Sequence, residues 1–337
     1  MISWVERVAG EGCAVTAMNP MIASNEARPT EAHAAEIARS VTGKSAESVR
    51  RFSTGLGHWV YDVRMPDGAS IVVRMGTADQ RADFLGALHW SKTLRPLGVP
   101  LPDLLAHGEH RQCPYLVLER LKGEDLGTVY GALTSAERKA IAEEVCRVQR
   151  IVGAMPEGHG YGFLRLPGEP GRDSWLDVVR GSLARSRARI DSAGLLGSEP
   201  VERVAAAATK FEVYFSRVRP RPFLDDVTTK NVLVHAGRFS GIVDVDWLCF
   251  GDPLFTVALT RTAILNAGGT PDYTDHWCDA LELSSEERRA VLFYTALFCV
   301  DFMSEFGQRF NHEVEPLDHE RVARLDRILS DHLREIA

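Results

Sequence analysis

The hydrophobic rhythm of the chain changes several times. Between positions 31 and 41, Ala34, Ile37 and Val41 recur at helical spacing and predict a short helix. From 49 to 75 the pattern becomes that of strands: Val49-Arg-Arg-Phe-Ser-Thr, then Trp59-Val-Tyr-Asp-Val-Arg-Met, then Ser70-Ile-Val-Val-Arg-Met. Gly55-Leu-Gly57 separates the first two runs. Pro66-Asp67-Gly68 separates the last two, and that turn chemistry predicts a hairpin. A helix follows over about 79–93, then strands beginning at Leu104 and Tyr115. Beyond these the pattern is mostly helical. Thr134 with Glu137 and Ser284 with Glu287 form capping boxes that open two helices. Further helices are predicted over 173–190, 199–218, 254–267 and 317–336, interrupted by two short apolar runs, Asn231-Val-Leu-Val and Gly241-Ile-Val. The apolar run 290–300 contains Tyr294 and Thr295 and ends at Asp301. It is too short to span a bilayer and reads as a buried helix. The expected class is α+β, with the strands concentrated in the first third.

A chain of 337 residues can bury a large core and divide into two lobes. Residues 1–25 show no clear period and read as a flexible extension. The remainder divides into 26–121 and 122–337, with the boundary set near Leu121 to Asp125. A formal net charge of −7 argues against nucleic acid as a partner, because phosphate backbones require a basic face, and it suits a small cationic molecule. The six cysteines show no paired spacing and no CxxC. His276 and Cys278 lack further ligands nearby, so no zinc site is expected and the thiols are read as reduced. With no secretion signal and no membrane span, the expected location is the cytoplasm.

The densest chemistry lies between 223 and 253, FLDDVTTKNVLVHAGRFSGIVDVDWLCFGDP. Asp226 is followed five residues on by Asn231, thirteen further on by Asp244, and eight further on by the aspartate of Gly251-Asp252-Pro253. Phosphoryl transfer needs such a set: one carboxylate to orient the attacking hydroxyl, and an amide oxygen with a second carboxylate to hold magnesium on nucleotide phosphates. The arrangement resembles the aminoglycoside phosphotransferase family, whose fold is similar to that of protein kinases. Its catalytic loop usually reads H-G-D-x-x-x-x-N, and here the frame reads Leu224-Asp225-Asp226 and then Asn231. The resemblance implies a bilobal protein-kinase-like fold, an antiparallel N-lobe sheet with a helix, and a mostly helical C-lobe. It also implies a phosphotransferase using ATP or GTP with Mg2+ on a hydroxyl of a small molecule. Asp226 then matches the catalytic aspartate, Asn231 and Asp244 the metal ligands, and the GDP that follows matches the family's. Leu224 departs from the family's loop-bracing histidine. Where the family often carries a second histidine, late in the helix opened by Thr134, this chain has Gln149.

The resemblance extends to other positions. Gly55 and Gly57 would allow close backbone approach to nucleotide phosphates. Arg74, on the third strand, stands where a kinase carries its phosphate-binding cation and would make a forked contact. Its acidic partner is expected from the following helix, which has no glutamate; Asp83 is nominated over Asp79. Tyr115 to Gly123 resembles the strand and linker that bind the base, and Glu119 lies there. Lys230 could face the γ-phosphate or simply the surface. Asp246, two after Asp244, would share its face if strand alternation holds, supporting a second metal or the loop. Asp225 would lie beside the acceptor. Trp247 would wall the acceptor pocket or fill core. Asp301 and Glu305, four apart, would present a carboxylate face to a cationic acceptor. Asp252 reads as structural, bonding backbone N–H groups of the catalytic loop. Arg185, Arg187 and Arg189 read as solvated surface charge.

Two functional readings remain. Leu224 and the missing helix glutamate favour a nucleotide-binding module without catalysis, a pseudokinase. Retention of Asp226, Asn231 and Asp244 together favours an active small-molecule kinase. A protein kinase is not expected, since neither H-R-D nor a following A-P-E is present.

Overall fold

The computed structural model of the chain describes residues 28–52, 57–310 and 313–337. The expected N-terminal extension lies outside them. The first helix among the described residues, α1 (Glu31–Thr42), opens at Thr30, whose side chain accepts the His33 N–H, and closes at Gly43 in the left-handed conformation (φ 72°). Five strands follow: β1 (Ser48–Arg51), β2 (Trp59–Arg64), β3 (Ser70–Met75), β4 (Leu104–His110) and β5 (Cys113–Glu119). They form one antiparallel sheet in the order β1-β2-β3-β5-β4. The Pro66-Asp67-Gly68 turn joins β2 to β3 as the pattern predicts, with Gly68 at φ 82°.

Alternation along β5 serves two helices. Val117 packs with Ala34, Ile37 and Ala38 of α1. Leu116 packs with Phe84 and Ala87 of α2 (Arg81–Leu94) on the other face. Farther along α2, Trp90 and Leu94 enter the large core of the C-terminal part. One helix is therefore fixed to both lobes.

After β5 the chain runs directly into β6 (Glu124–Asp125), which pairs with β9 (Val232–His235). With β10 (Arg238–Ile242) these form a second sheet, β10-β9-β6. A third sheet, β7-β11-β8, joins β7 (Gly162–Leu164), β8 (Arg221–Phe223) and β11 (Leu248–Gly251). Between and after them lie α3 (Leu126–Val129), α4 (Ser135–Gly153), α5 (Trp175–Ala193), α6 (Glu199–Ala208), α7 (Glu212–Phe215), α8 (Leu254–Asn266), α9 (Asp272–Ala280), α10 (Ser285–Met303) and α11 (His319–Glu335). Both capping boxes form, on α4 and α10. The helix expected over 199–218 is instead two, split by a 3-10 turn over Thr209–Phe211 that buries Phe211 in the core. The short helix α9 was not anticipated, although Tyr273, Trp277 and Cys278 recur at helical spacing and are buried.

Every residue of α10 from Phe293 to Met303 is buried. No helix among the described residues is long and apolar enough to cross a membrane. Asp252 helps fix α10: its Oδ2 accepts the hydroxyls of Tyr214 (2.7 Å) and Tyr294 (2.8 Å), and its Oδ1 accepts the Leu254 N–H (3.0 Å). Asp252 thus ties helices together rather than bonding the catalytic loop as expected.

Candidate active site

The β9–β10 hairpin turns at Ala236-Gly237, both with positive φ (49° and 73°), and its two strands end at a common edge. The loop 224–231 enters that edge and the segment 243–247 leaves it. Backbone and side-chain bonds then join the predicted residues. Asn231 Nδ2 donates to the Asp226 carbonyl at 2.9 Å, and the Val243 N–H donates to the Asn231 carbonyl at 2.9 Å. Thr228 Oγ1 donates to Asp226 Oδ1 at 3.0 Å. Because its amide nitrogen is engaged, Asn231 has Oδ1 as its atom for a ligand. Asp244 takes a left-handed backbone (φ 65°), which a short polar residue tolerates and which turns its carboxylate back toward the N-lobe. The segment 243–247 is not a strand, so Asp244 and Asp246 meet through this turn rather than through strand alternation.

The loop is braced without the family's histidine. Gln149, buried on α4, donates from Nε2 to the Leu224 carbonyl (2.7 Å) and accepts the Leu224 N–H on Oε1 (2.9 Å). The amide pairs with the residue two before Asp226 as a neighbouring strand would. Leu224 itself is 2% exposed and fills core.

Arg74 lies on β3 as predicted, but its partners differ from those expected. Its Nη1 donates to Asp246 Oδ1 at 2.6 Å, and Nη2 also contacts Asp246. Nη2 lies 2.7 Å from His58 Nδ1 and 3.1 Å from Asp244 Oδ1. Since arginine can only donate, His58 Nδ1 must accept. Burial, followed by the Arg74 charge, lowers the His58 pKa to about 3, so the ring is neutral. Asp83 does not supply the acidic partner. Its ion pair is with Arg165 (3.2 Å), whose guanidinium lies 4.3 Å over the Trp247 ring. Burial, then the charge of Asp246, raises the Asp83 pKa to about 6. One turn on, Gly86 touches the same loop: a Cβ there would sit 2.3 Å from the Asp246 carbonyl oxygen. The helix α2 therefore meets the Asp244–Asp246 segment with its backbone rather than with a carboxylate.

A cavity of about 460 Å³ lies between the first two sheets. Its apolar walls come from Val60, Val72 and Leu118 on one side and Leu233 and Val243 on the other. At its polar end stand Arg74, Asp226, Asn231, Asp244 and Lys230. Glu119 closes the opposite end, where β5 passes into the linker. Its carboxylate accepts the Asp103 N–H (3.1 Å), and its own N–H donates to the Asp103 carbonyl (2.8 Å). Gly57 lies on the wall with its carbonyl bonded by Gln80 Nε2 (2.7 Å). Gly55 lies outside the described residues.

The residues expected to recognise the acceptor are placed differently. Asp225 is 5% exposed and Oδ2 makes no hydrogen bond. Burial and the adjacent Asp226 push its pKa well above the ordinary carboxylate range. It faces the interior rather than an acceptor. Asp301 is wholly buried against Arg185 (3.4 Å), so Arg185 is a core residue and not surface charge. Glu305 is 2% exposed and pairs with Arg321 (2.9 Å), beyond the end of α10. These two carboxylates form no face on one helix, and each is already neutralised by an arginine. Asp246, expected at a second metal, is occupied by Arg74.

Several contributors were not anticipated. His58, Gln80 and Arg165 carry no motif of their own; only the place of His58 directly after Gly57 marks it.

The two-lobed fold, with a polar triad at the end of an interlobe cleft, defines a kinase-like phosphotransferase architecture. Residues 48–293 match the model of the phosphotransferase enzyme family, and the chain belongs to that family. Among solved structures it is similar to aminoglycoside phosphotransferase APH(4)-Ia (TM-score 0.67, 16% identity, 91% of this chain and 100% of that one). It is also similar to a thermostable mutant of that enzyme in ternary complex with AMP-PNP and hygromycin B (TM-score 0.65, 17% identity, 90% and 98% covered). A third is the GDP complex of wild-type aminoglycoside 2'-phosphotransferase-IIIa (TM-score 0.62, 14% identity, 91% and 99% covered). No protein of curated function matches the sequence.

Proposed function

We propose that this phosphotransferase moves the terminal phosphoryl group of ATP or GTP, with magnesium, to a hydroxyl of a small molecule. One observation carries the reading: Asp226, Asn231 and Asp244 stand together at the polar end of a nucleotide-sized cleft, Asn231 bonded to the Asp226 carbonyl and to the N–H of Val243, the residue before Asp244. The neighbours crystallised with AMP-PNP, GDP and hygromycin B support a purine nucleotide donor and a hydroxylated small-molecule acceptor. A strongly cationic acceptor draws no support from Asp301 and Glu305, which are already paired.

The donor atoms suit magnesium. Asn231 Oδ1 and the Asp244 carboxylate, 41% exposed, are hard oxygen ligands on the cavity wall. The cluster of His58, Asp244 and Asp246 is a poorer candidate, because the Arg74 guanidinium lies among its ligand atoms. When bound, the ion would neutralise charge on the phosphates and align them. Asp226, held by its loop, would orient the acceptor hydroxyl and receive its proton. The transition state is loose, so alignment counts for more than basicity. Arg74 and Lys230 supply positive charge at the same end.

The features that favoured a pseudokinase are compensated here. Gln149 braces the loop in place of a histidine at 224, and Asp246 meets Arg74 in place of a helix glutamate. Asp226→Asn provides the test. Turnover with any accepted hydroxyl should fall by several orders of magnitude while nucleotide affinity stays near wild type. Loss of nucleotide binding instead would show that Asp226 serves the fold.

A further inference from the structure

The geometry points to His58 as a positioning residue for Arg74, acting with Asp246 as the brace that a helix carboxylate would otherwise provide, and so keeping Asp244 available to a metal–nucleotide complex. The inference rests on the functional reading above and goes beyond it.

Arg74 Nη2 carries two hydrogens and, among the described residues, faces three acceptors: Asp246, His58 Nδ1 at 2.7 Å and Asp244 Oδ1 at 3.1 Å. The first two satisfy both hydrogens, so Asp244, the longest contact, is held chiefly by charge. A carboxylate ligand in that state can turn to magnesium without stripping the guanidinium of its hydrogen bonds. The chemistry of the third acceptor matters. Two aspartates already outnumber the one arginine, and a third carboxylate would add further negative charge where triphosphate must enter. A neutral imidazole accepts a hydrogen bond and adds no charge.

The ring is built into place. His58 is 6% exposed and meets Phe84 of α2 edge to face (centroids 5.2 Å, 84°), while Arg74 lies over the same phenyl ring at 5.4 Å. Gln80, just before α2, holds the Gly57 carbonyl at 2.7 Å and so fixes the backbone that carries His58. The helix thus contributes an aromatic surface and a backbone clamp rather than an ion pair. In this chain the usual strand–helix salt bridge is redistributed: its acid comes from the C-lobe, and its orienting group from His58, just before β2.

His58→Leu tests this. Without the imidazole, the second Nη2 hydrogen turns to Asp244 and holds that carboxylate away from the metal. Titration calorimetry with MgATP and MgGTP on the full chain should show affinity for the preferred nucleotide reduced about tenfold or more. The magnesium concentration needed for half-maximal binding should rise in parallel. His58→Asn, whose Oδ1 overlays the ring nitrogen, should bring both values back to within about threefold of wild type. In an Arg74→Leu background, His58→Leu should have no further effect on either value.

Circular dichroism and urea unfolding of the nucleotide-free variants establish that they are folded. Should His58→Leu fail to fold, the comparison of His58→Asn, alone and in the Arg74→Leu background, carries the test. Affinity and magnesium requirement unchanged in His58→Leu would overturn the brace while leaving the kinase reading intact. A failure of His58→Asn to restore them, in a folded protein, would reduce His58 to a packing residue. A wild-type chain that binds neither nucleotide would remove the functional reading, and the brace with it.

Discussion

Replacing Gln149 tests how the catalytic loop is held. Gln149→Leu keeps the size of the side chain but removes a donor and an acceptor at once. The partners left behind are the backbone N–H and C=O of Leu224, which bond Gln149 at 2.9 and 2.7 Å inside the core. A buried polar group stripped of its partner costs about 1–3 kcal/mol. Two of them give roughly 2–6 kcal/mol if the loop stays where it is. The loop will move to recover part of that cost, and Asp226 moves with it. A displacement near 1 Å at a positioning carboxylate lowers turnover on the order of a hundredfold. The assay has two arms. Urea unfolding measures the stability loss, and magnesium-dependent phosphate transfer, with hydroxylated acceptors screened on the wild type, measures turnover. Nucleotide affinity should change little, because the apolar cleft walls do not involve Leu224. Gln149→Glu adds a discriminating case: its carboxylate can accept the Leu224 N–H but cannot donate to the carbonyl. It should fall below wild type while still holding one of the two bonds. The reasoning is wrong if Gln149→Leu matches wild type in both unfolding midpoint and turnover.

Other outcomes follow from the contact between α2 and the C-lobe. Gly86→Ala sets two effects against each other: helix propensity favours alanine by about 1 kcal/mol, but a Cβ at 2.3 Å from the Asp246 carbonyl forces the helix off the loop. Overpacking of that kind costs about 1–3 kcal/mol. The variant should therefore be less stable in urea unfolding and weaker in nucleotide binding, and a gain in stability would refute the close approach. Asp83 gives a pH signature. Its folded pKa, raised to about 6, exceeds its ordinary value near 3.8, so the folded state binds the extra proton between those limits. Its contribution to stability is then greatest at low pH and is lost as pH rises from about 4 to 6. In Asp83→Asn that fall should flatten; an unchanged slope would contradict the assignment.

Much of the site was legible because its logic is local. Asp226, Asn231 and the Pro66-Asp67-Gly68 turn sit in short segments whose spacing already implies their geometry. Asp244 is nearly as local, since a two-strand hairpin joins it to Asn231. The failures were all of tertiary partnership. Arg74 was matched to Asp83 on the next helix, chosen over Asp79, but the carboxylate that reaches it lies 172 residues away. Asp301 and Glu305 look like a surface pair by helical spacing. Burial decided otherwise, because Arg185 and Arg321 approach from other helices and α10 ends at Met303. Likewise Arg185, Arg187 and Arg189 share a spacing but not a fate, and only packing against Asp301 sets the first apart. Gln149 stood out in the sequence as a departure from the family's histidine, but its task became visible only when α4 was seen beside Leu224.

The central claim is that Asp244 helps hold a magnesium–nucleotide complex in the interlobe cleft. Thermal unfolding of wild type and Asp244→Ala, with and without MgATP or MgGTP, tests it directly. Ligand at a hundred times its dissociation constant should stabilise the wild type by about 2.7 kcal/mol. The shift should require magnesium and should disappear in Asp244→Ala. A shift of equal size in the variant, or none in the wild type with either nucleotide, would contradict the account.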